Sequence, residues 1–362
     1  MKICFVVGSL SYSGAEKVLS IIMHELANRG QDVSVILLQQ AFGNNGKTGQ
    51  INTFGAKSQG SRQRRLINRW KYIRRIVLQI RPDIVVSFGS VCNVNTIMSL
   101  WGVKTPLVIC ERNDPNFDPR TKKERIERDF LYRFADGFVF QTPNIANYFR
   151  KIIKNKPIGI IANPIIDSDI RWDDNVREQR IVTVARLDDS QKSHYLMMEA
   201  FEAFLKQHPG YILEIYGDGP DKNAYQNYIG EKGLSGKVVL KGKTDNPLKA
   251  MEKATAFILT SKFEGMPNSL MEAMSIGIPC VVTDCGGGGA RALFEMCGIA
   301  DMIVGSPTPQ QIALALSCVA DSEEIRLRLS SNELEINKLL RKENVVDQWQ
   351  KYLLKIGCFQ KN

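Results

Sequence analysis

The sequence lacks the features that would carry the chain across a membrane or out of the cell. Its 362 residues contain no apolar run of about eighteen or more, and no leader with a basic start, an apolar middle and a small-residue cleavage site. No two of its 8 cysteines form a Cys-x-x-Cys pair, and most lie inside apolar stretches. We therefore expect a cytoplasmic protein with reduced thiols and no zinc site.

The sequence also has no complete glycine-rich dinucleotide-binding motif and few histidines. The turn Gly217-Asp-Gly-Pro220 has no third glycine that opens a helix, and the region from Gly8 to Gly14 fails in the same way. A nicotinamide-dependent oxidoreductase is therefore a weak alternative. The 3 histidines, which all stand in helical stretches, are more typical of packing or surface residues than of catalysts: His24, His194 and His208.

The apolar content is sufficient for two hydrophobic cores. A chain of 362 residues with 44% hydrophobic and 24% charged residues exceeds what one core usually organises. Of the net charge of +10, residues 1–170 contribute +12 (25 basic, 13 acidic) and residues 171–362 contribute −2 (23 basic, 25 acidic). The basic first half suits an anionic membrane, a nucleic acid or phosphorylated ligands.

Short β-branched runs alternate with amphipathic stretches, which is typical of parallel sheets built from βαβ units. A helix is predicted near residues 15–29. The predicted strands of a first series are residues 3–7, 33–38, 84–87, 107–110, 138–141 and 159–161. Those of a second series are residues 181–185, 212–216, 238–240, 257–259, 281–283 and 302–304. We predict an α/β chain of two doubly wound domains.

The periodicity breaks at Asn163-Pro164 and in the polar stretch 167–180. We predict a first domain of residues 1–165, a second of 166–340, and a C-terminal helix of 341–362 that packs back on the first. The docking residues of this helix are predicted to be Trp349, Tyr352 and Leu353. Because ligands bind at the carboxyl ends of parallel strands, we expect the chemistry in a cleft between the domains.

The most informative segment, residues 261–277, reads Ser-Lys-Phe-Glu-Gly-Met-Pro-Asn-Ser-Leu-Met-Glu-Ala-Met-Ser-Ile-Gly. Glu264 falls in a strand-to-helix turn, and Glu272 falls early in the helix. Free N–H groups at a helix start donate to hydroxyl or phosphate oxygens, and carboxylates accept hydrogen bonds from sugar hydroxyls. A carbohydrate-like ligand fits this chemistry, although two acids near a helix dipole also have a purely structural interpretation.

This segment resembles the signature of glycosyltransferase family 4. The resemblance extends over nearly the whole chain and is strongest between residues 181 and 288. It implies the GT-B architecture, with two Rossmann-like doubly wound domains facing a cleft, and sugar transfer with retention of anomeric configuration. It also implies that Glu264 contacts the donor sugar and Glu272 the ribose, helped by the backbone of Gly265, Met266, Pro267 and Asn268.

Arg186 and Lys192 follow the predicted strand 181–185, where two cations are suited to clamp a diphosphate, or are simply solvated. The resemblance implies that they neutralise the pyrophosphate and the leaving nucleotide, so that no metal or other cofactor is needed. It places the turn of Gly217 and Gly219 beside the nucleotide and residues 243–246 against its base. Gly14 belongs to an incomplete version of the family's glycine-rich loop, with Ser13 in place of the second glycine.

Glu111-Arg-Asn-Asp-Pro115 forms a dense polar cluster after the predicted strand 107–110, a position that more often serves a ligand than packing. A similar run marks family members of capsule and exopolysaccharide assembly, of the amylovoran type, where it replaces a histidine. The acceptor-side candidates are therefore Glu111, Arg112 and Asn113. The glycine run after Cys285 departs from the family pattern and receives no role.

Residues 57–81 contain nine basic residues and no acidic one. The apolar residues Leu66, Trp70, Ile73, Val77 and Ile80 recur at helical spacing, which predicts an amphipathic helix. This stripe suits packing on the sheet, whereas the charges are either solvated or in contact with an anionic membrane. The membrane-surface candidates are Arg62, Arg64, Arg65 and Lys71. A nucleic acid is less well supported, because no recognition motif accompanies the charge.

Together with these features, the resemblance implies a metal-independent, retaining glycosyltransferase of bacterial surface polysaccharide biosynthesis. We expect it to move a hexose or N-acetylhexosamine from a UDP-sugar to a lipid-linked or polysaccharide acceptor. Its expected location is the cytoplasm, peripheral on the anionic inner membrane. The alternatives are a non-catalytic membrane scaffold and, with less support, a nicotinamide-dependent oxidoreductase.

Overall fold

The chain folds into two α/β units. The computed structural model describes residues 1–9, 14–38, 46–48, 50–55, 61–305 and 307–359. One unit comprises Met1–Pro164 together with Lys342–Asn362, and the other comprises Ile165–Arg341. For comparison, the sequence placed these divisions after residues 165 and 340. We call them the first and the second unit.

The first unit contains eight described strands and six described helices. The strands are β1 (Lys2–Val7), β2 (Asp32–Leu37), β3 (Gly46–Thr48), β4 (Ile51–Gly55), β5 (Ile84–Phe88), β6 (Leu107–Glu111), β7 (Gly137–Phe140) and β8 (Ile158–Ile160). The helices are α1 (Gly14–Asn28), α2 (Arg62–Ile80), α3 (Ser90–Ser99), α4 (Lys122–Leu131), α5 (Pro143–Ile153) and α15 (Lys342–Phe359).

The sheet of the first unit has the order β3-β4-β2-β1-β5-β6-β7-β8, and only β3 is antiparallel to its neighbour. The central strands are buried along almost their whole length, which explains their nearly continuous apolar sequences. Helix α2 packs beside α3, α3 beside α4, and α4 beside α5, whereas α1 packs beside α15. With right-handed crossovers, α2 to α5 cover one face of the sheet and α1 and α15 the other.

Helix α15 packs within the first unit through the predicted docking residues. Trp349 is fully buried and stacks on Phe88, with ring centroids 5.6 Å apart. The hydroxyl of Tyr352 accepts a hydrogen bond from the backbone N–H of Phe138 at 2.7 Å and donates one to the carbonyl of Pro157 at 3.0 Å. The C-terminal helix therefore contributes directly to the core of the first unit.

The second unit has a five-stranded parallel sheet of order β11-β10-β9-β12-β13. Its strands are β9 (Glu178–Val184), β10 (Ile212–Tyr216), β11 (Val238–Gly242), β12 (Ala254–Leu259) and β13 (Cys280–Val282). Its helices are α6 (Asp189–Lys192), α7 (His194–Leu205), α8 (Lys222–Glu231), α9 (Pro247–Met251), α10 (Asn268–Ile276), α11 (Gly289–Met296), α12 (Pro309–Asp321), α13 (Glu323–Glu333) and α14 (Ile336–Leu339).

The predicted strands of both series are confirmed, with ends shifted by up to three residues, except for the last. The prediction of a strand at residues 302–304 is wrong: Ala300–Met302 is a 3-10 turn, and Val304 makes only an isolated bridge to Thr283. A single bridged pair next to Gly305 is too short to extend the sheet. Strands β3 and β4 were missed, because their residues are polar or glycine-rich.

No helix among the described residues is both long enough and apolar enough to cross a bilayer.

Candidate functional site

The predicted donor residues of the second unit follow the carboxyl ends of its parallel strands. Arg186 and Lys192 follow β9, Gly217 and Gly219 follow β10, and Glu264 follows β12. Because these strands are parallel neighbours, their carboxyl ends lie at one edge of the sheet. The sheet therefore brings together loops that are far apart in the sequence.

Lys192 and Glu264 form a direct ion pair between the Nζ and Oε1 atoms. Their side chains are 15% and 8% exposed, so the pair is shielded from most solvent. Ser261 Oγ donates to the same carboxylate oxygen at 2.8 Å, and Gln191 Nε2 lies 3.5 Å from the other oxygen. The two charges thus compensate each other, and neutral donors orient the carboxylate of Glu264.

The loop between β9 and α7 is fixed by its own hydrogen bonds. The backbone N–H of Lys192 donates to the carbonyl of Asp188 at 2.8 Å, which closes the short helix α6. Asp221 accepts a hydrogen bond from the N–H of Asp189 at 2.7 Å, and the Asp189 carboxylate accepts one from the N–H of Tyr195 at 3.1 Å. These acids bind backbone groups and thereby hold Lys192 in place.

Arg186 lies apart from this pair. Its side chain is 61% exposed, and a guanidinium nitrogen lies 3.6 Å from an oxygen of the buried Asp188 carboxylate. Among the described residues, no hydrogen bond or ion pair joins Arg186 to Glu264. The structure therefore brings two of the three predicted catalytic residues together and leaves the third at the surface.

His194 holds the backbone next to Arg186. The imidazole is fully buried, its Nε2 lies 3.1 Å from the Arg186 carbonyl, and its ring packs edge-on against Tyr225 at 5.2 Å. Burial lowers the pKa of His194, which favours the neutral ring that donates from Nε2. This histidine packs and positions the loop, in line with the sequence interpretation.

Gly217 and Gly219 allow two loops to approach closely. A Cβ atom on Gly217 would lie 1.9 Å from the Ala185 carbonyl oxygen, and one on Gly219 would lie 2.2 Å from that of Leu187. The N–H of Leu187 donates to the carbonyl of Asp218 at 3.1 Å across the same contact. The glycines thus have a structural reason of their own, because they let the loop that carries Arg186 pack on the β10 turn.

The glycine run after β13 packs against the segment that contains Glu264. The N–H of Glu264 donates to the Gly286 carbonyl at 2.9 Å, and a Cβ on Gly289 would lie 1.9 Å from the Gly265 carbonyl oxygen. Asp284 accepts a hydrogen bond from Arg291 Nε at 3.0 Å. The contacts of this loop with Glu264 and Gly265 were not predictable from the sequence, because its four glycines depart from the family pattern.

Helix α10 begins at Asn268, directly after the buried residues Gly265, Met266 and Pro267. Its first N–H groups belong to the set that a helix cannot satisfy internally. Glu272 is half-buried one turn further along α10. In the predicted base-contacting segment, Asn246 caps α9 by accepting a hydrogen bond from the N–H of Lys249 at 3.1 Å.

The acceptor-side candidates of the first unit contact different partners. Glu111 is fully buried at the end of β6, where the Tyr132 hydroxyl donates to its Oε2 at 2.6 Å. Burial, with a smaller effect of the Asp118 charge, raises the pKa of Glu111 to about 8. The Asn113 side chain accepts a hydrogen bond from the N–H of Asp114 at 3.0 Å.

Arg112 contacts a different set of residues from Glu111. Its guanidinium donates to Asn163 Oδ1, which also accepts a hydrogen bond from Gln141 at 2.8 Å, and it lies 5.4 Å from the ring centroid of Phe88. Burial lowers the pKa of Arg112 to about 10. Arg112 therefore contacts neutral side chains at the carboxyl edge of the first sheet.

Two predicted regions are described only in part. Gly14 begins α1, but residues 10–13 and the side chains of residues 14–16 lie outside the described residues, as does the side chain of Arg62. On α2, the exposed membrane-surface candidates are Arg64, Arg65 and Lys71. Ile73 and Val77 are buried, and Trp70 donates to Asn95 of α3 at 2.9 Å, so the apolar stripe packs inward.

Among the described residues, no three His, Cys, Asp or Glu side chains are grouped as a metal site would require.

Two family models match consecutive parts of the chain. The model "Glycosyltransferase Family 4" matches residues 12–168, and the model "Glycosyl transferases group 1" matches residues 167–335. Together they account for most of the chain and meet next to the division between the two units.

Two relatives with curated names are similar over most of their own length. A GalNAc-α-(1→4)-GalNAc-α-(1→3)-diNAcBac-PP-undecaprenol α-1,4-N-acetyl-D-galactosaminyltransferase of Campylobacter jejuni is 23% identical, over 98% of this chain and 99% of its own. The amylovoran biosynthesis glycosyltransferase AmsD of Erwinia amylovora is 24% identical, over 81% of this chain and 84% of its own. The second relative agrees with the resemblance noted from the Glu111–Pro115 run.

Solved structures show the same fold. The crystal structure of Anabaena HepE in complex with UDP-glucose superposes with a TM-score of 0.79 over 98% of this chain and 100% of its own, at 17% identity. The prediction of the GT-B fold, with two Rossmann-like domains, is thereby confirmed.

Proposed function

The chain belongs to glycosyltransferase family 4, and we propose that it moves a hexose or N-acetylhexosamine from a UDP-sugar to a lipid-linked or polysaccharide acceptor, with retention of anomeric configuration. That it is a glycosyltransferase of bacterial polysaccharide or glycoconjugate synthesis follows from both family models and from its named relatives. The donor, the acceptor and the stereochemistry are the proposed part.

The observation that carries the proposal is the Lys192–Glu264 pair at the carboxyl edge of the second sheet. An ammonium group held beside an oriented carboxylate offers a cation for phosphate oxygens and an acceptor for sugar hydroxyls within one contact. Ser261 and Gln191 keep the carboxylate in place, so a ligand that engages Lys192 need not leave Glu264 without donors. The pair therefore suits a sugar phosphate, with Lys192 near the phosphate and Glu264 near the sugar hydroxyls.

Arg186 is proposed as the second cation of the diphosphate site. Its exposed guanidinium lies in the loop that the β10 glycines hold close to the sheet edge. Guanidinium groups bind phosphate with two parallel hydrogen bonds, which suits a diphosphate leaving group. With Lys192 and Arg186 taking the developing negative charge, we propose that transfer needs no metal ion.

Glu272 and the start of α10 are proposed to complete the donor site. Glu272 would accept hydrogen bonds from ribose hydroxyls, and the backbone from Gly265 to Asn268 would donate to phosphate or sugar oxygens. Neighbouring structures were solved with UDP and with UDP-glucose, which supports uridine as the base.

The acceptor is proposed to meet the first unit. The Campylobacter relative acts on an undecaprenol-linked acceptor by its name, and this supports a lipid-linked acceptor here. The polar group around Glu111, Arg112 and Asn113 is the proposed acceptor side. Arg62, Arg64, Arg65 and Lys71 are proposed to contact the anionic inner membrane, where α2 carries no acidic residue.

A thermal-shift screen against UDP, GDP, ADP and NADH in the presence of a chelator tests this proposal. A ligand that binds only the folded protein raises its melting temperature. We expect a selective rise with UDP, followed by transfer from UDP-glucose or UDP-N-acetylhexosamines to lipid-linked acceptors. A rise with another nucleotide alone would overturn the donor assignment. UDP binding without any turnover would favour the non-catalytic scaffold.

A further inference from the structure

A cluster of exposed aromatic rings lies on the first unit, where α3 ends and where a 3-10 turn precedes β7. Trp101, Phe130 and Phe134, which we call the aromatic patch, are 59%, 56% and 45% exposed. The ring centroids of Trp101 and Phe134 are 4.8 Å apart, and those of Phe130 and Phe134 are 5.7 Å apart. A contiguous patch of exposed apolar rings is typical of a surface that binds another protein or a membrane.

Further apolar groups continue the patch. Ile126 is exposed four residues before Phe130 on α4, so both side chains lie on one face of that helix. Beside the patch is a cavity of about 480 Å³, lined by Ile97, Leu100, Trp101 and Phe134 among others, with Lys104 also at its wall. The surface therefore combines protruding rings with an adjacent recess.

Cations and acids both lie beside the aromatic patch. Arg74 of α2 donates to the Trp101 carbonyl at 2.8 Å and to the Ser99 carbonyl at 3.2 Å, which ties the basic helix to the patch. The Arg133 guanidinium lies 6.0 Å from the ring centroid of Phe130. The acid next to the patch, Asp136, accepts a hydrogen bond from the N–H of Leu107 at 2.9 Å. Glu124 and Glu127 on α4 are further acids on this surface.

The patch is separate from the proposed acceptor site. It lies at the amino ends of β6 and β7, whereas Glu111 ends β6 at the opposite edge of the sheet. A strand of five residues spans about 17 Å. Changes to the patch therefore leave the proposed site residues untouched.

We propose that the aromatic patch inserts into the interfacial layer of an anionic lipid bilayer, with α2, Lys104 and Arg133 on the headgroups. Aromatic rings with polar surroundings favour the depth of the headgroups, and neighbouring arginines and lysines are attracted by anionic lipid. The charge beside the patch favours an anionic bilayer over a neutral apolar partner. Helix α2, next to the patch, has no acidic residue between residues 61 and 81, and an anionic surface complements it. The inference rests on the proposed function, in which the first unit contacts an anionic membrane, and it adds which side chains enter the bilayer.

Vesicle co-sedimentation tests the insertion. Wild-type protein is compared with the triple variant Trp101→Ser, Phe130→Ser, Phe134→Ser on vesicles of phosphatidylglycerol and phosphatidylethanolamine. We expect the triple variant to lose binding by about tenfold or more, because three exposed rings no longer enter the interface. A matched control, Leu314→Ser with Leu327→Ser, removes two exposed apolar side chains of the second unit and should leave binding unchanged.

Fluorescence supplies an independent measurement. Trp172 and Trp349 are buried and Trp70 is half-buried, so lipid brominated near its headgroups should quench mainly Trp101. Quenching should fall to a low residual level in Trp101→Phe, in which Trp70 is the most exposed tryptophan left. Unchanged vesicle binding in the triple variant, or equal losses in the control, would overturn the inference. A triple variant that alters only the oligomeric state would assign the patch to a second copy. The UDP thermal shift tests the proposed function separately, because it needs no lipid.

Discussion

In the second unit the carboxylate of Glu264 contacts an ammonium group, whereas in the first unit the carboxyl group of Glu111 contacts a phenol hydroxyl. Both groups are buried; Glu111 ends strand β6, and Glu264 lies in the turn after β12. The difference lies in the partner, because a cation stabilises the charged form and burial without a contacting cation favours the protonated form. The second unit thus holds a charged pair suited to a charged ligand, and the first holds a carboxyl group whose pKa is raised to about 8.

The largest expected effect comes from removing the charge of Glu264. Glu264→Gln keeps the shape of the side chain but leaves Lys192 without its counter-charge and the donor sugar without a carboxylate. We expect the rate of sugar transfer to fall by about 10²–10³-fold, the usual effect of losing one preorganised group at a charged site. Transfer from labelled UDP-sugar measures this.

Lys262→Ala is the matched control for that variant. Lys262 pairs with Asp189 at 3.4 Å next to the site, but more than half of its side chain is exposed. Exposed pairs contribute about 1 kcal/mol or less, so transfer should change little. Equal activity of Glu264→Gln and wild type, with both proteins folded, would remove Glu264 from the site.

Two glycine-to-alanine variants, one in each unit, test how tightly the backbone is packed. Gly219→Ala places a methyl group 2.2 Å from a backbone carbonyl oxygen, which cannot move away without disturbing the Arg186 loop. Gly137→Ala in the first unit meets the Tyr352 hydroxyl at 2.6 Å, the far end of a side chain. We expect Gly219→Ala to lower the free energy of unfolding by about 1–3 kcal/mol, more than Gly137→Ala does, as measured by urea denaturation.

Gly230→Ala controls for the loss of glycine as such. A Cβ there meets nothing within 4 Å, and the residue lies in α8. This variant should be stabilised by about 0.5–1 kcal/mol, since alanine is the better helix former. A Gly219→Ala protein as stable as Gly230→Ala would show that the β10 turn is not constrained.

Glu111 should make the stability of the protein depend on pH. The pKa of Glu111 is about 8 in the folded state, above its ordinary value of 4.5, so the folded state keeps a proton that the unfolded chain has lost. Its contribution is fully present below about pH 4.5 and declines as the pH rises to about 8, by at most about 1.4 kcal/mol per pH unit. Glu111→Gln removes this titration.

Urea denaturation of wild type and Glu111→Gln across that pH range measures the effect. The difference in unfolding free energy should move in favour of the variant as the pH rises. A constant difference would mean that folding does not raise the pKa of Glu111.

Tyr132→Phe should have a small effect. It removes the hydroxyl that donates to Glu111 and leaves the ring in the core, which costs about 1 kcal/mol. Because this hydrogen bond lowers the folded-state pKa of Glu111, the decline in stability should begin at the same pH but extend to a higher pH in the variant. The same pH series shows this, and an unshifted curve would argue against the contact.

Much of the fold could be predicted from local pattern. Buried parallel strands such as β1 and β12 have continuous apolar sequences, and these were found. Strands β3 and β4 pair through backbone groups with little apolar sequence, so periodicity gives no signal for them. Residues 302–304 look apolar enough for a strand, but only Val304 reaches a partner.

The candidate site was predictable in its residues but not in its contacts. Arg186, Lys192 and Glu264 were identified from their positions after strands and from the family resemblance. Their pairing depends on residues about seventy positions apart, and no local pattern reports that Lys192 meets Glu264 while Arg186 stays exposed. Ser261 and Gln191 were missed for the same reason.

The most direct test of the central claim is calorimetric titration of UDP, with a chelator present, into wild type and the double variant Lys192→Met, Glu264→Gln. This variant replaces the charged pair by neutral groups of similar size, so it leaves no buried charge unpaired. We predict that the affinity for UDP falls by at least about tenfold, while Lys262→Ala binds as wild type does. Equal affinity of the double variant and wild type would contradict the assignment of this pair to the donor site.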